Sequence, residues 1–274
     1  MTQITNSFRT MDGVRLAYDD DGSGPAVLLV HGFSCQAAHW ALQREALIAA
    51  GYRVIGIDLR LHGRSDAPSH GQRISRLGKD IRELIEHLDL ESVSLVGHSM
   101  GVSVSLAYFS LYGTDRVAAF VAVDQSPKIV NDETWHWGLR SGRESVGWSN
   151  LWDAVNHRVP WGDPSLEPPM PSHVQKLVAE AGALTEYPGG SVQQLMLDHF
   201  SADWRDVIPS VSVPSWVVTG RYSPGFPLEG MRWFADTLPD ATLTVFENSG
   251  HCPHWNEPED FNHELLAFLK RSST

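Results

Sequence analysis

Apolar runs and amphipathic stretches alternate along the N-terminal half of the chain. Residues 26–30 are apolar at every position, and residues 81–90 carry apolar side chains at helical spacing. Apolar strands separated by helices predict a parallel sheet covered on both faces, and right-handed crossovers make that sheet doubly wound. A turn is predicted at 19–25, and the other predicted elements are strands 14–18, 26–30, 52–57, 93–96 and 117–123 and helices 40–50, 81–90 and 102–112.

The alternation breaks after Asp124. Residues 127–205 show no convincing strand, and five of the chain's ten tryptophans lie between residues 135 and 161. The pattern returns with strands at 214–220 and 241–246 and helices at 228–238 and 258–270. We therefore predict an α/β core formed by residues 1–126 and 206–274, interrupted by a helical cap at residues 127–205.

Charge and hydropathy narrow the range of partners. The 274-residue chain has a formal charge of −12, so its surface repels nucleic acids and anionic membranes, and neither is an expected partner. No apolar run approaches the length of about 18 residues that a transmembrane helix needs. The first 15 residues lack the apolar segment of a secretory signal. We expect a soluble, cytoplasmic protein.

A candidate nucleophile lies where a predicted strand meets a predicted helix. Gly97-His98-Ser99-Met100-Gly101 has the pattern G-x-S-x-G, and the strand–turn–helix context gives this common pattern its meaning. The glycines leave room for a strained turn that lifts the Ser99 hydroxyl above the sheet. The N-terminus of the following helix favours negative charge that develops there.

The strand at 26–30 ends in His31-Gly32-Phe33. Acyl transfer passes through a tetrahedral oxyanion, which needs preorganised N–H donors worth about 3–4 kcal/mol each. One donor follows the nucleophile and the other lies in the loop after this strand. We predict that the backbone N–H groups of Met100 and Phe33 form the oxyanion hole.

These motifs, in this order and with Gly250-His251 near the C-terminus, resemble the serine-nucleophile branch of the α/β-hydrolase superfamily. The resemblance spans residues 14–268, and the cap matches poorly. It implies the α/β-hydrolase fold, an esterase-like or lactonase-like activity and a Ser-His-Asp triad. The motifs are specific for the superfamily and do not identify the substrate.

His251 is the predicted base, because it follows a strand and the triad order places histidine last; His254 is its rival. The family usually carries its acid after the strand that follows the cap, and Ser223 occupies that position. Asp124, at the end of the strand before the cap, can replace it, since neighbouring strand ends lie about 5 Å apart. It would orient His251. Alternatively, Asp124 is a turn residue, or Ser223 marks an inactivated enzyme.

The cap should roof the pocket. Its tryptophans favour an apolar or aromatic ester or lactone substrate, although they could equally form the cap's own core. The expected pocket residues are His98, Cys35, Trp135 and Cys252. The two cysteines are expected to be free thiols, with a bridge or a pocket thiol as alternatives. No zinc-like ligand set or phosphate-binding loop is present in the sequence, so no metal or cofactor is expected.

The predicted activity is hydrolysis of a carboxylic ester or lactone through an acyl-enzyme. Because Ser99 occupies the turn between the strand and the helix, the branches of the superfamily that use an aspartate nucleophile are excluded. Three alternatives share the same residues: a carbon–carbon bond hydrolase, a cofactor-free dioxygenase acting on heteroaromatic compounds, and a non-catalytic binding protein. The sequence does not indicate the oligomeric state.

Overall fold

The computed structural model describes residues 6–142, 144–156, 161–163, 165–182 and 191–272. The strands are β1 (Asn6–Arg9), β2 (Arg15–Gly22), β3 (Ala26–Val30), β4 (Arg53–Ile57), β5 (Val93–His98), β6 (Val117–Val123), β7 (Arg140–Ser141), β8 (Glu144–Ser145), β9 (Ser215–Gly220) and β10 (Ala241–Phe246). The helices are α1 (Ala41–Ala49), α2 (Ile74–His87), α3 (Met100–Tyr112), α4 (Leu151–Val155), α5 (Ser172–Ala181), α6 (Ser191–Ser201), α7 (Leu228–Thr237), α8 (Pro253–Asn256) and α9 (Pro258–Ser272).

Eight strands form one sheet in the order β1-β2-β4-β3-β5-β6-β9-β10. The pairs β1–β2 and β2–β4 are antiparallel, and the other five pairs are parallel. The sheet is therefore mostly parallel, as predicted. The chain leaves β3 toward β4 on one side and reaches β5 on the other, so the loops after β3 and β5 flank a crevice at the carboxyl edge of the sheet.

Alternate side chains of the buried strands pack into two apolar layers. In β3, Leu28 and Val30 belong to one cluster, and Val27 and Leu29 belong to the other. The first cluster includes buried residues of α2 and α3, and the second includes residues of α1 and α9. Helices therefore cover both faces of the sheet, which confirms the predicted doubly wound fold.

The predicted turn at 19–25 was placed too early. Strand β2 continues through Asp19, Asp20 and Asp21 and pairs with β4. Each of the three carboxylates is paired with an arginine, and Arg53 makes a bidentate bond to Asp20 at 2.8 and 2.7 Å. Acidic residues are poor strand formers by themselves, so these ion pairs with neighbouring elements explain what the local pattern missed.

The segment between β6 and β9 contains α4, α5, α6 and the short antiparallel pair β7–β8. The expectation that residues 127–205 hold no strand was therefore wrong. The two-residue strands are too short to show an alternation of polar and apolar residues, and Gly142 turns between them with φ +58°. None of the described helices, in this segment or elsewhere, has the length and apolar character needed to cross a bilayer.

Candidate active site

Ser99 occupies a sharp turn between β5 and α3. Its backbone has φ +52° and ψ −123°, a strained conformation for a residue with a side chain. The flanking glycines are required by space: a Cβ on Gly101 would lie 2.3 Å from the Val30 carbonyl oxygen, and a Cβ on Gly97 would lie 2.7 Å from the Gly101 carbonyl carbon. The crowding that the sequence predicted around Ser99 is present.

The loop after β3 lies directly against Ser99. Strand β3 pairs with β5, and Val30 is opposite Gly97. A Cβ on Gly32 would lie 3.0 Å from the Ser99 Cβ, so a larger residue here would force its neighbours to shift. Met100 is the first residue of α3, and its N–H belongs to the open helix N-terminus. Phe33 and Ser99 line the same cavity.

Asp124 and His251 are joined by a hydrogen bond. His251 Nδ1 donates to Asp124 Oδ2 at 2.7 Å. Asp124 follows β6, and its N–H donates to Val218 of the neighbouring β9 at 2.8 Å. The carboxylate is fully buried, so it depends on protein donors in place of water. The strand end before the cap thus brings its carboxylate to the histidine, as the sequence predicted.

Ser223, at the usual acid position, is a partner of Asp124. Its hydroxyl donates to Asp124 Oδ2 at 2.7 Å, and the Thr219 hydroxyl donates to Asp124 Oδ1 at 2.6 Å. Together with His251, three donors surround the carboxylate. The serine therefore has a defined contact in the site, whereas a degenerate site needs no such contact.

The rival base His254 is placed differently. It is buried, its ring stacks on Trp40 with centroids 4.5 Å apart, and its Nδ1 has no hydrogen-bond partner among the described residues. Burial lowers the pKa of His254 well below the usual value, and the neighbouring His251 and His39 lower it further. A neutral, stacked histidine without a carboxylate partner is not held as a base.

Burial by itself lowers the pKa of His251, but the hydrogen bond and charge of Asp124 and the charge of Glu167 outweigh it. The net shift of the His251 pKa is therefore upward. Glu167 comes from the cap segment, and its Oε2 accepts a hydrogen bond from the His251 backbone N–H at 3.1 Å. Burial raises the pKa of Glu167. The sequence did not point to this residue, because residues 127–205 have no periodic pattern to locate it.

A cavity of about 410 Å³ opens at the carboxyl edge of the sheet, and both Ser99 and His251 line it. Within the described residues, no hydrogen bond joins these two side chains; such bonds commonly tighten only when substrate binds. The other polar residues of the lining are Gln125, Glu167 and His199. The apolar wall includes Phe33, Ile129, Leu139, Trp161, Phe200 and Phe226.

Of the four predicted pocket residues, Cys252 lines this cavity, and Cys35, His98 and Trp135 are outside its described lining. His98 lies behind the site, where its Nε2 donates to the His251 carbonyl at 3.0 Å. Trp135 donates from Nε1 to the Lys128 carbonyl and packs against Trp137 and Trp233. It packs the segment between β6 and β9 against α7, a structural role that the sequence left open as the alternative.

Both cysteines are free thiols. Burial raises the pKa of Cys35 to about 12 and that of Cys252 well above its usual value. Both sulfurs are therefore protonated near neutral pH and are poor nucleophiles. Among the described residues, no group of three or more histidine, cysteine, aspartate or glutamate side chains is arranged to hold a metal ion.

Comparison with known proteins finds relatives along nearly the whole chain. The chain is 28% identical to non-heme chloroperoxidase CPO-A1 of Kitasatospora aureofaciens, over 96% of this chain and 98% of that protein. It is 25% identical to 3-oxoadipate enol-lactonase 2 of Acinetobacter baylyi, over 96% of each chain. An esterase structure from Exiguobacterium antarcticum matches with a TM-score of 0.84 and 24% identity, over 97% of this chain and 100% of that chain.

A sequence profile described as alpha/beta hydrolase fold matches residues 25–258. That range includes the turn at Ser99, the loop after β3, Asp124 and His251. The eight-stranded sheet and the matching esterase structure show the same architecture. The chain therefore belongs to the α/β-hydrolase fold family.

Proposed function

We propose that this protein hydrolyses a carboxylic ester or lactone, with Ser99 as nucleophile, His251 as base and Asp124 as the triad acid. The observation that carries the proposal is the 2.7 Å bond from His251 Nδ1 to the buried Asp124. It joins a histidine that lines the same cavity as the strained Ser99 to a carboxylate that fixes its tautomer.

In the proposed reaction, Ser99 Oγ attacks the ester carbonyl while its proton passes to His251 Nε2. The N–H groups of Phe33 and Met100 donate to the oxyanion. The intermediate collapses when the carbon–oxygen bond to the leaving alkoxide breaks, and His251 gives that alkoxide its proton. Water then attacks the acyl-Ser99, and the same proton transfers release the acid.

The contacts of Asp124 support its role as the acid. An imidazolium forms on His251 during each half-reaction, and the carboxylate 2.7 Å from its Nδ1 stabilises that charge. Hydrogen bonds from Thr219 and Ser223 fix the orientation of the carboxylate. Ser223, at the usual acid position, thus donates a hydrogen bond to the proposed acid on the adjacent strand.

The test is labelling with a fluorophosphonate, which reacts with activated serines, followed by peptide mass spectrometry. We expect one adduct, on Ser99, that is lost in Ser99→Ala. Ser103→Ala, which removes a buried serine of α3 outside the described cavity lining, is the control and should label fully. A folded protein that is not labelled would contradict the proposal and favour the dioxygenase or binding-protein alternative. Oxygen consumption with heteroaromatic compounds would then distinguish the dioxygenase from the binding protein.

The chloroperoxidase relative supports a second candidate, which the sequence alone did not raise. If hydrogen peroxide replaces water in the attack on acyl-Ser99, the product is a peroxy acid, which can oxidise a halide ion. This activity uses the same residues. Halide oxidation that requires peroxide and a short carboxylic acid, and that disappears in Ser99→Ala, would establish it beside the hydrolysis.

A further inference from the structure

His199 is a buried polar residue in the wall of the cavity. It lies on α6, lines the cavity and is 4% exposed. Its Nδ1 is buried without a hydrogen-bond partner, and neither ring nitrogen makes a hydrogen bond within the described part of the chain. Buried polar groups are normally paired, so an unpaired one at a candidate binding site calls for an explanation.

The unpaired state of His199 is unfavourable in the free protein, because the side chains around it are apolar. Met196 and Phe200 lie on the same face of α6 and line the same cavity, and the Phe200 ring is in edge contact with the imidazole. Burial lowers the pKa of His199 to about 3, so the ring is neutral near pH 7. A neutral imidazole offers one donor and one acceptor, and neither ring nitrogen is paired with another described residue; Nδ1 is fully buried, whereas Nε2 is not.

Helix α6 is fixed to the core beside this residue. Asp198 accepts a hydrogen bond from the backbone N–H of Ile74, the first residue of α2, at 2.8 Å. It also pairs with Arg73 at 3.1 Å. The imidazole is thus presented by a helix whose position is set by a contact to the core. A fixed, desolvated polar group is well suited to recognise one particular ligand atom.

The charges of the cavity exclude an anionic partner for His199. Among the described residues of the lining, Glu167 is a carboxylate and no lysine or arginine is present. A negatively charged group on the substrate would meet Glu167 without a compensating cation. The amide nitrogen of Gln125, the other neutral polar residue, already donates to the Ser126 carbonyl.

We propose that His199 determines specificity by hydrogen bonding to an uncharged polar group, such as a hydroxyl, on the otherwise apolar part of the substrate. The inference rests on the proposed function, because it treats the cavity as the ester site. The preferred substrates are then neutral esters or lactones whose apolar part carries one such group away from the reacting carbonyl. Esters with a free carboxylate are disfavoured.

The experiment measures recognition separately from turnover. In a Ser99→Ala background, calorimetry compares the binding of p-nitrophenyl octanoate with analogues that carry a hydroxyl at successive carbons toward the chain end. A hydroxyl can donate and accept, so it suits either tautomer of His199. We expect the ester with the hydroxyl at one particular carbon to bind about tenfold more tightly than p-nitrophenyl octanoate, which corresponds to about 1.4 kcal/mol. His199→Leu should abolish this preference, and His199→Gln should retain part of it.

Met196→Leu is the matched control on the same helix and the same wall, and it should alter both affinities alike. His199→Leu should also raise the melting temperature, because it removes an unpaired buried polar group. The inference would be overturned if all esters bound equally well or if none bound. It would also be overturned if the preference for one hydroxyl position survived in His199→Leu. Failure of the proposed function is a separate result, namely no fluorophosphonate adduct and no turnover when Ser99 is present.

Discussion

Asp124 has a backbone conformation that few aspartates adopt, with φ +47°. The left-handed conformation is unfavourable for a residue with a side chain, although aspartate tolerates it better than most. Here it turns the carboxylate toward Thr219, Ser223 and His251 at the end of β6. Local strain that is maintained by several hydrogen bonds is common where a side chain must be aimed.

Asp124→Asn should lower kcat for ester hydrolysis by about four orders of magnitude. An amide nitrogen facing His251 Nδ1 favours the wrong tautomer, although the shape of the site is kept. Turnover of a p-nitrophenyl ester and thermal unfolding measure the two effects separately. Asp115→Asn, at an exposed aspartate, is the control and should remain active. Near-normal turnover in folded Asp124→Asn would remove this residue from the triad.

Glu167→Gln should move the acid limb of the kcat/KM profile to lower pH. The neutral form of His251 is the base, and the negative charge of Glu167 helps to raise the His251 pKa. Without that charge the pKa falls, so the base remains available in more acidic solution. Glutamine retains an oxygen that can accept from the His251 N–H. Glu229→Gln, on α7, is the control and should leave the profile unchanged; an unmoved limb in Glu167→Gln would contradict the assignment.

At the scale of elements, the approach of α3 to β3 determines how the Ser99 turn is built. Gly101, in the first turn of α3, faces the Val30 carbonyl at a distance that leaves no room for a Cβ. The helix N-terminus can therefore come close to the end of β3 and to the loop that follows it. The same loop approaches Ser99 at Gly32, where an added Cβ would lie 3.0 Å from the Ser99 Cβ.

Gly101→Ala should lower the free energy of unfolding by about 1–3 kcal/mol or more, because an overpacked backbone contact cannot be relieved by rotating a side chain. Chemical denaturation measures this change. Gly147→Ala is the matched control, since its Cβ would meet only the Asn131 carbonyl, at 3.4 Å. Equal stability of the two variants would show that α3 can shift without cost.

The sequence predicted best what is encoded by consecutive residues. The turn at Ser99 is bounded by an apolar strand and a helix, so motif and context agree over a short stretch. Asp124 was found because it ends a strand next to the position where the usual acid is missing. By contrast, Glu167 and His199 reach the cavity from a segment without periodicity, and Trp135, predicted for the pocket, packs against Trp137 and against Trp233 of α7. Their positions depend on how the cap folds against the core, which local patterns do not encode.

At the scale of the whole molecule, buried histidines connect the fold to solution pH. Burial lowers the pKa of His31 and His199 to about 3 and that of His62 to about 4. It lowers the pKa of His98 and His254 well below the usual value. The unfolded chain binds protons at these side chains near pH 6.5, whereas the folded chain does not. The pKa of His251 is raised, but five buried histidines have a lowered pKa, so their effect on stability outweighs that of His251.

Thermal stability should therefore fall as the pH decreases from about 7 to about 5, because protons bind preferentially to the unfolded state. Scanning calorimetry at constant ionic strength measures the melting temperature across this range. His199→Leu removes one of the titrating groups and should make the decline less steep. A melting temperature that is constant or rises toward pH 5 would contradict the histidine assignment.

The contact between Ser223 and Asp124 has an evolutionary consequence. Both Ser223 and His251 bond to the same oxygen of Asp124, so a carboxylate at position 223 would lie close to the proposed acid and its histidine. The acid could therefore migrate between the two strands by single substitutions. The intermediate would carry two adjacent carboxylates, and their mutual repulsion would shift the pH range of the reaction. The two positions are then the ends of a short mutational path.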